Sequence, residues 1–180
     1  MEWWKPSKPG EVRDTPWLHP DAIAYLDGIL SPDFTVIEHG SGGSTLWLAE
    51  RVKLVWAFGS DPDWQAVISK RARTNTKVFS ADAAPTIFVR GMTFDLVLID
   101  GEPLESRCAW IEAAPKLAPR GWVVLDNANR PQYAAQRATL SQLAELEYRS
   151  PLVGNYLYNR LNHAIESQGI TNHKRHYLPR

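Results

Sequence analysis

Apolar residues recur along this chain in two alternating rhythms, one helical and one extended. In "HPDAIAYLDGIL", Ile23, Leu26 and Leu30 mark one face of a helix, with Asp21 near its start. "FTVIEHG" reads as a strand, and "STLWLAERV" as a helix opening at Ser44, a residue suited to an N-cap. "KLVWAFGS" predicts a strand, "DPDWQAVISKRAR" a helix opened by Asp61 and Pro62, and "KVFSAD" another strand. "FDLVLIDG" has the continuous apolar run of a strand buried on both faces. "SRCAWIEAAPKLAPRG" is helical up to the interruption at Pro115, and "WVVLDNAN" is the next strand. "QYAAQRATLSQLAEL" then predicts a helix, with closing strands near "EYRSP" and "NYLYNRLNHAI". Strands alternating with helices imply parallel βαβ units with right-handed crossovers, hence an open three-layer α/β sheet. Ligands of such sheets bind beyond the carboxyl ends of the strands, where Asp61, Asp82, Asp100, Asp126, Asn127 and a glycine-rich turn all fall.

Length and composition narrow the picture. A chain of 180 residues with 44% apolar content can bury one core, so 1–180 is expected to be a single domain. Lys plus Arg equals Asp plus Glu at 20 each, so no global field recruits nucleic acid or an acidic membrane. The lone cysteine, Cys108, excludes an internal disulfide and suits a reducing cytoplasm. "MEWWKPSKPG" lacks the apolar core of a signal peptide, and no apolar run approaches the ~18 residues of a membrane span. A cytoplasmic location is therefore expected. Trp3, Trp4 and Trp17 crowd a Pro-rich leader, 1–20, which reads as a strap anchored by indoles, or else as a substrate lid or the contact of a homodimer.

The turn "HGSGGST" poses the central question, because glycine weakens strand and helix alike. Gly40 and Gly42 leave room for a ligand to approach the main chain, and the N–H groups at the following helix start point the same way. A nicotinamide fingerprint beginning at Gly40 needs glycine where Thr45 stands, and a Walker phosphate loop needs a lysine after the glycines. No Ser-His-Asp order or nucleophile elbow appears.

"VIEHGSGGST" resembles the first motif of class I S-adenosylmethionine-dependent methyltransferases. The resemblance continues through "FGSDPDW", "SADAA", "FDLVLIDG" and "LAPRGWVVLDNANRP", covering 34–131 as a donor-binding core. It implies a Rossmann-like, mostly parallel seven-stranded sheet with an antiparallel last strand, and segment 132–180 as closing helix and strands with a basic tail. It implies that Glu38, Gly40, Ser41, Gly42 and Ser44 line the amino-acid part of S-adenosylmethionine. Asp82 and Ala83 would meet the adenine, and Asp100 would lie beside the methyl group. The family's ribose-binding acid falls at Gly59, 21 residues after Glu38. Asp61 either substitutes for that acid or caps the next helix.

Asp100, Asp126 and Asn127 end adjacent strands and offer hard oxygen ligands for Mg2+ or another divalent cation. The trio resembles the metal site of catechol O-methyltransferase and related small-molecule O-methyltransferases, although that family's lysine base falls at Pro103. Asp100, Glu102 and Arg107 are the catalytic candidates, with Arg107 placed to hold an anionic substrate; Glu105 and His39 are further candidate bases, and His39 reads as packed. His173 and His176 sit in a tail better suited to touching phosphate than metal. The expected function is O-methylation of a small-molecule acceptor. The alternatives are a non-catalytic nucleoside- or partner-binding protein and an NAD(P)-dependent oxidoreductase.

Overall fold

The computed structural model describes residues 12–18, 20–128, 130–144, 146–149, 156–159 and 175–176. The chain alternates as the apolar pattern requires: α1 (Pro20–Ile29), β1 (Thr35–His39), α2 (Gly43–Ala49), β2 (Leu54–Gly59), α3 (Pro62–Arg71) and β3 (Thr76–Ser80). A 3-10 turn at Ala81–Ala83 leads into α4 (Ala84–Val89), β4 (Leu96–Ile99), α5 (Leu104–Leu117) and β5 (Trp122–Leu125). A second 3-10 turn, Pro131–Tyr133, opens α6 (Ala134–Leu143), followed by β6 (Leu146–Arg149), β7 (Tyr156–Asn159) and β8 (Arg175–His176).

The strands form one sheet in the order β3-β2-β1-β4-β5-β7-β6-β8. β1 to β5 are mutually parallel, whereas β7 runs antiparallel to both β5 and β6. The expected seven-stranded sheet is thus corrected in two respects. Among the described residues it has eight strands, and the last of them, the two-residue β8, pairs parallel with β6. The chain order reverses between β1 and β4, which places a switch point beside the end of β1.

Alternation along the central strands sends side chains to both faces, which is why their sequences are apolar throughout. Ile37, Val97, Ile99, Val123 and Leu125 pack on one face with Trp110, Ile111, Leu117 and Leu140. Val36, Leu96, Leu98 and Val124 pack on the other with Ala22, Leu26, Trp47 and Leu48. No helix among the described residues is long and apolar enough to cross a membrane.

Two element boundaries differ from the sequence expectation, and one element is additional to it. α2 begins at Gly43, with Gly42 extended before it, so Ser44 is not an N-cap but lies inside the first turn. α5 begins at Leu104 and continues through Pro115 to Leu117. α4 was not expected at all; its six residues are too few to show a period.

The leader residues that are described behave as a strap. Val12 and Leu18 are buried, Arg71 donates from Nη1 to the Val12 carbonyl at 2.6 Å, and Arg71 also pairs with Asp14. A side chain at Gly43 would overlap the carbonyl oxygens of Thr15 and Arg13. Trp3, Trp4, His173 and the 160–174 part of the closing segment lie outside the described residues.

Candidate functional site

The carboxyl ends of β1, β2, β4 and β5 surround a cavity of about 440 Å³, within the roughly 300–1,000 Å³ usual for small-ligand sites. One wall is the turn Gly40–Ser44 with Glu38 behind it; a second is Gly59–Asp61 with Trp64 and Trp17. The third comes from the loops after β4 and β5, carrying Asp100 to Glu102, Asp126, Asn127 and Arg130, with Arg107 behind them.

The glycine wall is fixed by its backbone. Gly40 has φ +117°, a conformation that side chains resist, and a Cβ there would lie 3.2 Å from the Gly101 nitrogen. Its N–H donates to the Phe58 carbonyl at 2.8 Å, joining the turn to β2. Gly42 leaves its main chain open, since a Cβ there would meet nothing nearer than Trp64 Nε1 at 3.8 Å.

Glu38, 1% exposed at the end of β1, accepts from the hydroxyls of Ser44 and Thr45, the latter at 2.6 Å. Thr45 Oγ1 also accepts from the Gly42 N–H at 2.9 Å. One carboxylate thus ties strand end, turn and helix together. Burial pushes its pKa up to about 7, with the two hydroxyls pulling the other way. Sequence reading missed Thr45; its signal was the three-residue spacing from Gly42, that of a capping box.

The corner where the resemblance places a ribose-binding acid is closed. A Cβ on Gly59 would lie 2.6 Å from Ser41 Oγ and 2.9 Å from Gln65 Cγ, and Gln65 Nε2 donates to the Gly59 carbonyl at 2.8 Å. Ser41 Oγ is enclosed and has no hydrogen-bond partner. Asp61 lines the cavity and also caps α3, its Oδ1 accepting from the N–H groups of Asp63 and Trp64 at 2.9 and 3.0 Å. Trp64 Nε1 donates to the Ser41 carbonyl at 2.6 Å, and Trp17 meets the Trp64 ring edge-on at 5.7 Å. Trp17, which the sequence offered as part of a strap or a substrate lid, thus lines the cavity, and Trp64 does so without having been foreseen.

Asp82 and Ala83 do not join the site. Ser80 caps the 3-10 turn through the Asp82 N–H, and this tight coil leaves the Asp82 carboxylate exposed and both residues off the cavity lining. Glu105 is likewise exposed, in the first turn of α5.

Arg107 corrects the expectation of a substrate-holding cation. It is 1% exposed, and Nε, Nη1 and Nη2 donate to the carbonyls of Gly101, Asp126 and Asp100 at 2.9, 2.9 and 2.6 Å. Its guanidinium therefore clamps the two strand-end loops. Asp100 Oδ1 and Glu102 Oε1 each lie 3.7 Å from Nη2. Burial and the neighbouring Asp126 carboxyl hold Asp100 well above the usual carboxylate range, Glu38 adds to the shift, and Arg107 opposes it. The Asp100 side chain keeps 25% exposure through the cavity mouth.

The oxygen trio is not arranged as a three-ligand metal site. Asn127, held at φ 51°, donates its Nδ2 to Asp126 Oδ2 at 2.6 Å, and its Oδ1 accepts from Arg130. Arg130 Nη1 also reaches Glu102 Oε1 at 3.3 Å. The Asn127 amide thus meets Asp126 through its nitrogen while its oxygen faces Arg130, and among the described residues no group of three His, Cys, Asp or Glu is disposed to hold a metal ion. His39 is packed, as expected: its ring lies 5.2 Å from Trp110, and Nε2 pairs with Ser106 Oγ at 2.9 Å. Burial, reinforced by the Arg107 charge, lowers its pKa to about 3, so it is neutral.

Solved structures with this architecture carry the comparison further than sequence does. No protein-family model and no curated relative matches the chain. A methyltransferase-like protein from Silicibacter pomeroyi superposes with a TM-score of 0.56 at 20% identity, over 82% of this chain and 90% of the other. An rRNA methylase from Streptococcus thermophilus gives 0.55 at 16% identity, over 78% and 94%. Precorrin 8W decarboxylase from Methanobacterium thermoautotrophicum gives 0.52 at 17% identity, over 78% and 76%. At such identities the likeness establishes the methyltransferase-type α/β fold and no particular reaction.

Proposed function

We propose that this protein binds S-adenosylmethionine and transfers its methyl group to a small-molecule acceptor. One observation carries the reading: the bare main chain of Gly40 to Gly42 forms the wall of a ligand-sized cavity with the buried Glu38 carboxylate directly behind it. The donor's methionine end lies against the glycine turn, and its adenosine end extends toward Asp61, Ser41 and Trp64. Its methyl group faces Asp100 and Asp126. Catalysis is chiefly positioning, with the acceptor atom held about 3 Å from the methyl carbon. Metal-assisted O-methylation draws no support from the Asn127 side chain, whose amide groups already pair with Asp126 and Arg130.

Gly59 favours a second reading, a nucleoside-binding protein without transferase activity, because without an acid at that position the donor's ribose lacks the contact that would fix it for transfer. Isothermal titration with S-adenosylmethionine and S-adenosylhomocysteine separates the possibilities. The methyl-transfer reading expects one site for each. Binding of adenosine equal to that of either compound supports the nucleoside reading, and absence of all three overturns both.

A further inference from the structure

The methyl-transfer reading leaves the acceptor unnamed, and the charges around the cavity restrict it. Glu38, Asp61, Asp100, Glu102 and Asp126 contribute acids to the lining, against Arg107 and Arg130. Arg107 is spent on three carbonyls, and Arg130, the more exposed of the two, already pairs with Asn127 and Glu102. On the donor side, the Glu38 carboxylate is satisfied by two hydroxyls. On the other side, the pairing of Ile99 with Leu125 sets Asp100 beside Asp126, and the nearest cation to Asp100 Oδ1 is Arg107 Nη2 at 3.7 Å. Two carboxyls side by side in a partly dry cavity favour an added positive charge. Ser41 Oγ, enclosed beside Gly59, also has no hydrogen-bond partner.

We infer that the acceptor is a primary or secondary amine that enters as an ammonium ion and is received by the Asp100–Asp126 pair. This rests on the methyl-transfer reading of the same cavity. An alcohol is a far weaker acid than an ammonium and gives its proton to a carboxyl pair much less readily. A phenolate or carboxylate would enter as an anion among like charges. An ammonium, with a pKa near ~10 like that of lysine, lies within a few units of a carboxyl raised by burial, a gap across which proton transfer is workable. The nitrogen gives a proton to the pair, and its lone pair attacks the methyl carbon. The C–N bond forms as the C–S bond breaks, the bonding electrons stay on sulfur, and the sulfonium becomes a neutral thioether. The methylated amine leaves as an ammonium, and the carboxyl pair returns its proton to water.

The test uses the whole chain saturated with S-adenosylhomocysteine, whose own binding is measured first by calorimetry. Butylammonium, butan-1-ol and butyrate are then titrated with ligand-observed NMR. Butylammonium is expected to bind about tenfold more tightly than either other probe. Asp126→Asn should bring it to within about threefold of butan-1-ol. Should that variant not fold, raising salt from about 20 to about 500 mM on the unaltered protein must weaken butylammonium and leave butan-1-ol unchanged. Equal binding of the three probes, or a preference for butyrate, overturns the amine assignment while leaving the donor reading intact. Ammonium preference without any binding of S-adenosylhomocysteine overturns the donor reading and, with it, the assignment of the amine as a methyl acceptor.

Discussion

Glu38 and Asp100 end neighbouring parallel strands of one sheet, yet their surroundings solve the same problem in different ways. Glu38 is enclosed by the element that follows it, with Ser44 and Thr45 returning from the first turn of α2 to fill its lone pairs. Asp100 depends on distant chain: Arg107 from α5 and Asp126 from the next strand loop. Local partners make the glycine wall a preorganised seat, whereas the loops after β4 and β5 are joined by a single buried cation. The first region is suited to a constant ligand and the second to a variable one.

Removing that cation should separate the two regions most sharply. Arg107→Met leaves three carbonyls without donors and Asp100 without its nearest positive charge, so it should cost about 3–5 kcal/mol in urea unfolding. A loss below about 1 kcal/mol would show that the clamp is dispensable.

The pH dependence gives the next effect. Folding raises the Glu38 pKa from 4.5 to about 7, so the folded state holds this proton more tightly, and the group's contribution to stability falls as pH rises between those values. His39 acts oppositely: its pKa falls from 6.5 to about 3, the unfolded chain binds that proton more tightly, and stability rises over that window. The two slopes oppose each other between pH 4.5 and 6.5. Glu38→Gln should therefore make the slope of stability against pH more positive by at most about 1.4 kcal/mol per pH unit between pH 4.5 and 6.5 in denaturation curves. Unchanged curves would mean that Glu38 carries no such shift.

Asp61→Asn should have the smallest effect on stability, under about 0.5 kcal/mol, because asparagine caps a helix as well as aspartate does. Affinity for S-adenosylhomocysteine, read by calorimetry, should nevertheless fall about tenfold if the carboxylate also meets the ribose. An unchanged affinity would leave Asp61 as a cap alone.

Much of this could be read from the chain because it is local. The apolar runs of β1, β4 and β5 declare burial on both faces, and the order of Glu38, Gly40 and Gly42 declares a turn opened for a ligand. Arg107 misled because nothing nearby in sequence says that carbonyls from two different loops will converge on it. Asn127 misled for a related reason: its residue type permits ligation, but its direction is set by Arg130 and a left-handed backbone. The closure at Gly59 was invisible, since it depends on Ser41 and Gln65 arriving from separate elements. Asp82 had the right place in the chain order, and a 3-10 coil took it out of the cavity.

Gly43 has no room for a methyl group because the carbonyls of Thr15 and Arg13 occupy that space. The amino-terminal arm and the helix start are therefore interlocked parts, each shaped by the other. A homologue bearing alanine at this position must thread its arm along a different route, so a one-letter difference there would report the path of a segment almost thirty residues upstream.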